Sequence, residues 1–235
     1  MPRPKSRVRY SATAGLPPAR LTPRVVPTVD PWTAGEMFVS PHVEERRRGL
    51  ALLCGTEAAR TSTLTAHLLA SRVEEPDLTL RAQIANALAD YFEIRGREFR
   101  YPPEVRSNVA AHVRRFERPQ VLALLELRAA AQHGRVSLNS DALRRLFERL
   151  PDASATLTRL AGDRDLSLPL RTAAIEMIGH VGFTDAWAAL EGLALRLEGR
   201  RAGQVPMLFA PTDRADEEHL LPALKETLRL LEEDQ

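Results

Sequence analysis

Asp165-Leu166-Ser167-Leu168-Pro169-Leu170-Arg171, followed by Ala174, Ile175, Ile178 and Gly179, reads as a short turn feeding a closely packed helix. Proline is tolerated in a first helical turn, where its missing N–H has no partner to lose. Small and apolar residues then recur at helical spacing. An earlier stretch has the same design: Asp77-Leu78-Thr79-Leu80-Arg81, then Ile84, Ala85, Leu88 and Ala89. From Arg81 and Arg171 onward the small and apolar positions coincide, at a separation of 90 residues. Long-period self-similarity marks repeat architectures, and this separation holds about two helical-pair units of ~40–47 residues.

Working outward, the chain from Ser40 on predicts helix after helix. Ser40-Pro41 starts one that runs to about Leu53, with Gly55 just beyond. A second covers Ser62–Val73, and a third carries the stripe Leu80, Ile84, Leu88 and Tyr91 up to Gly96. Pro102-Pro103 opens a fourth with Val105, Val109, Val113 and Phe116 inward; Pro119 opens a fifth with Val121, Leu122, Leu125 and Ala129. Further helices follow Ser140-Asp141, surround Leu157 and Leu160, run from Pro169 to His180 and from Asp185 to Leu197, and close the chain over 216–233. Residues 199–215 read as a Gly-, Pro- and Arg-containing loop, and sustained period-two alternation is missing, so strands are not expected.

Residues 157–193 resemble a HEAT repeat. Leu157 and Leu160 stand at the end of a first helix, Asp163-x-Asp165 forms the turn, and Pro169, Arg171 and Ala173-Ala174 begin the second helix. Ile178-Gly179-x-Val181-Gly182 closes it, and Asp185-Ala186 opens the next helix. A weaker unit lies near 77–95. The resemblance implies an all-α, right-handed HEAT-like α-solenoid of about ten helices. It also implies structural work for Asp165 and Arg171, and for Asp77 and Arg81: the aspartates cap and the arginines bond to neighbouring turns.

Residues 1–39 read as an extended Pro/Arg-rich arm, leaving 40–235 as the helical domain. Over residues 1–30 six basic residues face the single acid Asp30, and six prolines prevent a helix from running through. Arg3, Lys5, Arg7, Arg9 and Trp32 are the arm's candidate contacts, and the arm offers a route to oligomers. A basic start without a following apolar run argues against a signal peptide.

Among 33 basic residues only Lys5 and Lys225 are lysine. Arginine forks onto carboxylate or phosphate and stacks on aromatic rings, although G+C-rich codon usage also favours it. The surplus is local. Nine arginines oppose four glutamates between Arg95 and Arg135, interleaved with Phe99, Tyr101 and Phe116. Arg95, Arg97, Arg100, Arg106, Arg114, Arg115 and Arg118 are therefore the candidate binding surface, suited to an acidic protein face or to phosphates.

The formal net charge of +2 excludes a uniformly basic nucleic-acid-coating protein, and the single Cys54 excludes a disulfide scaffold. Cys54, beside Leu52 and Leu53, reads as a buried structural thiol. No phosphate loop, dinucleotide fingerprint, nucleophile elbow or metal-ligand spacing is present, so neither a catalytic residue nor a cofactor or metal is expected. Nor is any apolar run long enough to span a bilayer, and a cytoplasmic protein is expected. The expected function is a non-catalytic scaffold that binds a protein partner. The alternative is a DNA- or RNA-binding HEAT-like protein, with glycosylase activity a remoter version resting on the aromatic–acid pair Trp187 and Asp185. A role resembling that of bilin-attaching lyases has no residue in its favour beyond the repeat itself.

Overall fold

The computed structural model describes residues 30–96, 98–139, 141–203 and 216–233. Within them lie twelve α-helices: α1 (Pro31–Phe38), α2 (Val43–Gly55), α3 (Glu57–Arg60), α4 (Thr63–Ser71), α5 (Leu78–Asp90), α6 (Pro103–Val113), α7 (Arg118–Gln132), α8 (Ala142–Phe147), α9 (Ala153–Gly162), α10 (Leu168–Val181), α11 (Trp187–Gly203) and α12 (Leu221–Glu233). Short 3-10 turns precede α11 (Thr184–Ala186) and α12 (Asp216–Leu220). The protein is mostly helical, as the periodicity predicts.

Local chemistry sets the boundaries. Pro31, Pro103, Pro119 and Pro169 occupy first turns. Thr56 and Ser62 each accept a backbone N–H with their side-chain oxygens, and Asp77 accepts that of Leu80 at 2.7 Å. Glu117 and Gln120 form a reciprocal capping box at the start of α7. The end of α10 is a Schellman turn: Gly182 sits at φ +84°, its N–H reaches the Gly179 carbonyl, and that of Phe183 reaches Ile178.

Contacts run between elements close in chain order. α1 packs on α2 and α4, α4 on α5 and α6, and α9 on α10 and α11. In parallel α2 meets α5, α5 meets α7 and α8, α7 meets α10, and α10 meets α12. One apolar core threads the whole series from Phe38 to Leu231. The predicted α5 stripe of Leu80, Ile84, Leu88 and Tyr91 lies fully inside it, as do Leu143, Leu146 and Phe147 of α8. Several side-chain bonds between helices share an offset near 45, whereas those from α2 and α3 to the two ends of α5 span 29 to 30. Arg81 meets Glu126, Arg118 meets Asp163 and Arg171 meets Glu217, at sequence distances of 45, 45 and 46. Glu74 with Gln120 and Gln132 with Glu176 add offsets of 46 and 44.

Several expectations are corrected. The extended arm does not reach residue 39, because residues 31–38 form α1. Its Ala34, Gly35 and Phe38 face are buried against α2, where Gly49 lets the backbones meet: a Cβ there would lie 2.4 Å from the Phe38 nitrogen. The third helix stops at Asp90 and not at Gly96. Residues beyond it form a two-stranded hairpin, β1 (Ile94–Arg95) and β2 (Glu98–Phe99), with Ile94 opposite Phe99. Each strand is only two residues long, too short for alternation to be visible. The four-residue helix α3 was likewise beneath the reach of periodicity. The predicted 199–215 loop begins later, since α11 continues to Gly203.

Candidate binding surfaces

The described arginines of the 95–135 stretch lie at the hairpin, on and just after α6, and on and just after α7. Arg95 and Arg100 sit at the hairpin. Arg95 pairs with Glu93 at 3.3 Å, and Arg100 lies 3.7 Å from both Asp90 and Glu93. Arg106 stacks over Phe99, 3.8 Å from its ring centre, and donates to the Tyr101 carbonyl. Arg114 and Arg115 are exposed at the end of α6. Arg118, at the start of α7, pairs with Asp163 at 2.5 Å. Arg97 lies outside the described residues, as do Arg3, Lys5, Arg7 and Arg9 of the basic arm. Trp32 lies on α1 and is 68% exposed.

Arg81 and Arg171 are interior cross-braces. Arg81 is buried; its Nε donates to the Glu75 carbonyl at 2.6 Å and its Nη1 to Glu126 at 2.5 Å. Arg171 is more deeply buried, donating to the Ala161 carbonyl and to Glu217, both at 2.9 Å. Arg164 approaches the same Glu217 oxygen at 3.2 Å. Buried guanidinium groups require such partners, because an unpaired buried charge is costly. Asp77 caps α5, and the Leu80 N–H it accepts holds its carboxyl below the usual carboxylate range, with Arg47 assisting.

Asp165 does not cap α10. Its side chain is exposed, and the N-cap residue is Ser167. Asp163 takes the turn instead, accepting the Asp165 N–H at 3.0 Å and the Arg118 guanidinium, which depresses its carboxyl. The turn motif has two aspartates two residues apart, and composition alone does not choose between them.

Recesses among the described residues include the following three. One, of about 250 Å³, lies between α7 and α9, lined by Phe116, Val121, Leu150 and Leu160 with Arg118 and Arg159. A second, of about 350 Å³, spans α5, α7 and α10 through Leu78, Glu126, Ala130, Arg135, Pro169 and Leu170. The third, of about 310 Å³, lies at the hairpin, where Arg60, Arg95, Arg100 and Tyr101 face Cys54 and Thr56.

Cys54 is half-buried, and burial raises its thiol, with Arg60 opposing that shift. A protonated thiol is a poor nucleophile. Trp187 is half-buried against the core with its indole N–H unpartnered, whereas Asp185 is exposed. The rings of His67 in α4 and His112 in α6 lie 5.4 Å apart and tilted by 57°, and burial, then His67 and Arg115, lowers His112. Among the described residues no group of three or more His, Cys, Asp or Glu side chains is placed to hold a metal. No helix among them is long and apolar enough to cross a membrane.

Sequence reasoning missed Arg60, Glu126 and Glu217. Glu126 and Glu217 had a readable signal: each lies about one repeat length from an arginine already singled out. Arg60 lies in a helix too short to read. No family model, no curated protein and no solved structure matches the chain.

Proposed function

We propose that the chain is a non-catalytic scaffold of the HEAT-like α-solenoid kind, binding a protein partner along the surface formed by α5, α7 and α10. The observation that carries this reading is the recurring offset of 44 to 46 residues between bonded side chains of successive helices. Units that touch their sequence neighbours at one constant offset build an extended surface. On this reading the packed helix pairs α1–α2, α4–α5, α9–α10 and α11–α12 are the stacked units. The offset also explains the separation of 90 between Arg81 and Arg171. Alternate units carry the arginine and the units between them carry its glutamate, so like residues recur every second unit.

The recess across α5, α7 and α10 gives such a surface its centre, apolar in the middle with Glu126 and Arg135 at its edge. A protein suits it better than nucleic acid does. Arg118 and Arg128 are tied to Asp163 and Glu176, which withdraws their charge from phosphate. The basic residues of the first thirty supply a second contact for an acidic partner.

The test is affinity capture at low salt with the full-length chain, compared with a Leu170→Glu/Arg135→Glu variant that retains its helical circular dichroism. A partner recovered by the unaltered chain and lost with the variant is the expected result. Capture of nothing, or equal capture by both, contradicts the proposal. Retention of nucleic acid with a steep salt dependence would transfer the reading to the alternative.

A further inference from the structure

We propose that the hairpin recess is a binding site for a compact oxyanion, such as a phosphoryl or carboxylate group carried by a small molecule. This goes beyond the scaffold reading, and the recess shares no lining residue with the α5–α7–α10 surface.

Three chain segments meet here. The end of α2 brings Cys54, α3 brings Arg60, and the hairpin folds back with Arg95, Arg100 and Tyr101. The volume of about 310 Å³ is at the lower end of small-molecule clefts, ~300–1,000 Å³. Its polar lining consists almost wholly of hydrogen-bond donors. Arg60 donates one nitrogen to the Tyr101 hydroxyl at 2.7 Å and another to Asp90 at 3.2 Å. Tyr101 is buried to 5% exposure, and its oxygen is taken as an acceptor, so the hydroxyl proton is left for an acceptor in the recess. The Thr56 oxygen already accepts the Ala59 N–H at 3.1 Å, which leaves its proton free in the same way.

The carboxylates that balance the arginines stand behind them. Asp90 takes Arg60 and Arg100, while Glu93 takes Arg95 and Arg100, and neither lines the recess. These pairs hold the guanidinium groups in place while using only part of their donor capacity. Glu57 is the one carboxylate in the lining, and it is exposed. A recess rich in donors and poor in acceptors selects a ligand that is all acceptor, and forked guanidinium groups match an oxyanion in shape.

The test is titration calorimetry on the full-length chain with inorganic phosphate, phosphoserine and acetate, at constant ionic strength maintained with chloride. Saturable binding of at least one of them is expected. It should weaken roughly tenfold or more in Arg95→Gln/Arg100→Gln, and only slightly in the control Arg114→Gln/Arg159→Gln, which loses equal charge elsewhere. Tyr101→Phe, which keeps the ring and removes the hydroxyl, should weaken binding several-fold. A preference for phosphate and phosphoserine over acetate assigns a phosphoryl ligand; the reverse assigns a carboxylate. As a second readout, bound anion should slow alkylation of Cys54, the only cysteine. No saturable heat with any of the three, or equal loss in the control variant, overturns the proposal. Neither outcome bears on partner capture at the α5–α7–α10 surface.

Discussion

Arg81 and Arg171 do the same job in two settings, and the difference lies in what receives them. Arg171 reaches Glu217, whose side chain is 11% exposed and is shared with Arg164. Arg81 reaches Glu126, whose side chain is 48% exposed. Each arginine also donates to the carbonyl end of the preceding segment, at Ala161 and Glu75. The guanidinium position is therefore common to both regions, while the partner's burial is not. Burial of the partner decides how much an arginine's loss should cost, because water can rescue an exposed carboxylate and cannot rescue a buried one.

The largest effect should follow from this. Arg171→Ala removes the buried partner of Glu217 while Arg164 stays beside that carboxylate, and is expected to cost about 3 kcal/mol or more. Arg81→Ala leaves a solvated Glu126 and should cost about 2–3 kcal/mol, chiefly through lost bonds and packing. Urea denaturation of the two variants checks the order. Equal losses would remove the distinction.

The same two helices offer a finer contrast eight residues on. Gly179 follows Arg171 where Ala89 follows Arg81. A Cβ at Gly179 would lie 3.1 to 3.3 Å from Thr227 of α12, so a methyl group fits there only if Thr227 gives by a few tenths of an ångström. Gly179→Ala is expected to lose about 1 kcal/mol, strain outweighing the gain in helix propensity. In a Thr227→Ala background the sign of the Gly179→Ala change should reverse. An unchanged cost in that background would mean that the close approach is not the cause.

The smallest effect concerns the aspartates that precede these helices. Asp77→Ala should cost about 1 kcal/mol at neutral pH through loss of the cap, and Asp165→Ala within about 0.5 kcal/mol. The Asp77 carboxyl is depressed in the fold, so the stability it confers is present above its unfolded value. That contribution is lost as pH falls through the lowered one. The acid limb of a stability–pH profile, below about pH 4, should accordingly flatten in Asp77→Ala.

These residues also show where sequence reading succeeds. The interior stripes were legible because long helices repeat their apolar positions several times, as Leu80, Ile84, Leu88 and Tyr91 do. Arg81 and Arg171 stood out because each follows the same turn. Their glutamates were harder to find, since Glu126 sits mid-helix and Glu217 in a 3-10 turn, and only the offset of 45 to 46 residues ties each to its arginine. The hairpin recess was the least legible feature. Cys54, Arg60 and Tyr101 come from three separate segments, and their meeting depends on tertiary folding over a two-residue strand pair. The arginine-rich stretch includes Arg95 and Arg100 of this recess, but charge counting cannot separate a paired guanidinium from an unpaired one.

Native-state hydrogen exchange on Arg171→Ala tests most directly whether the helices act as stacked units. In a stack each unit leans on its neighbours alone, so damage should stay local. Amides of α10 and α12 should then exchange faster, while those of α2, α4 and α5 keep the protection they have in the unaltered chain. An equal loss of protection from α2 through α12 would instead mean a single cooperative core, and would contradict the repeat architecture on which the scaffold proposal rests.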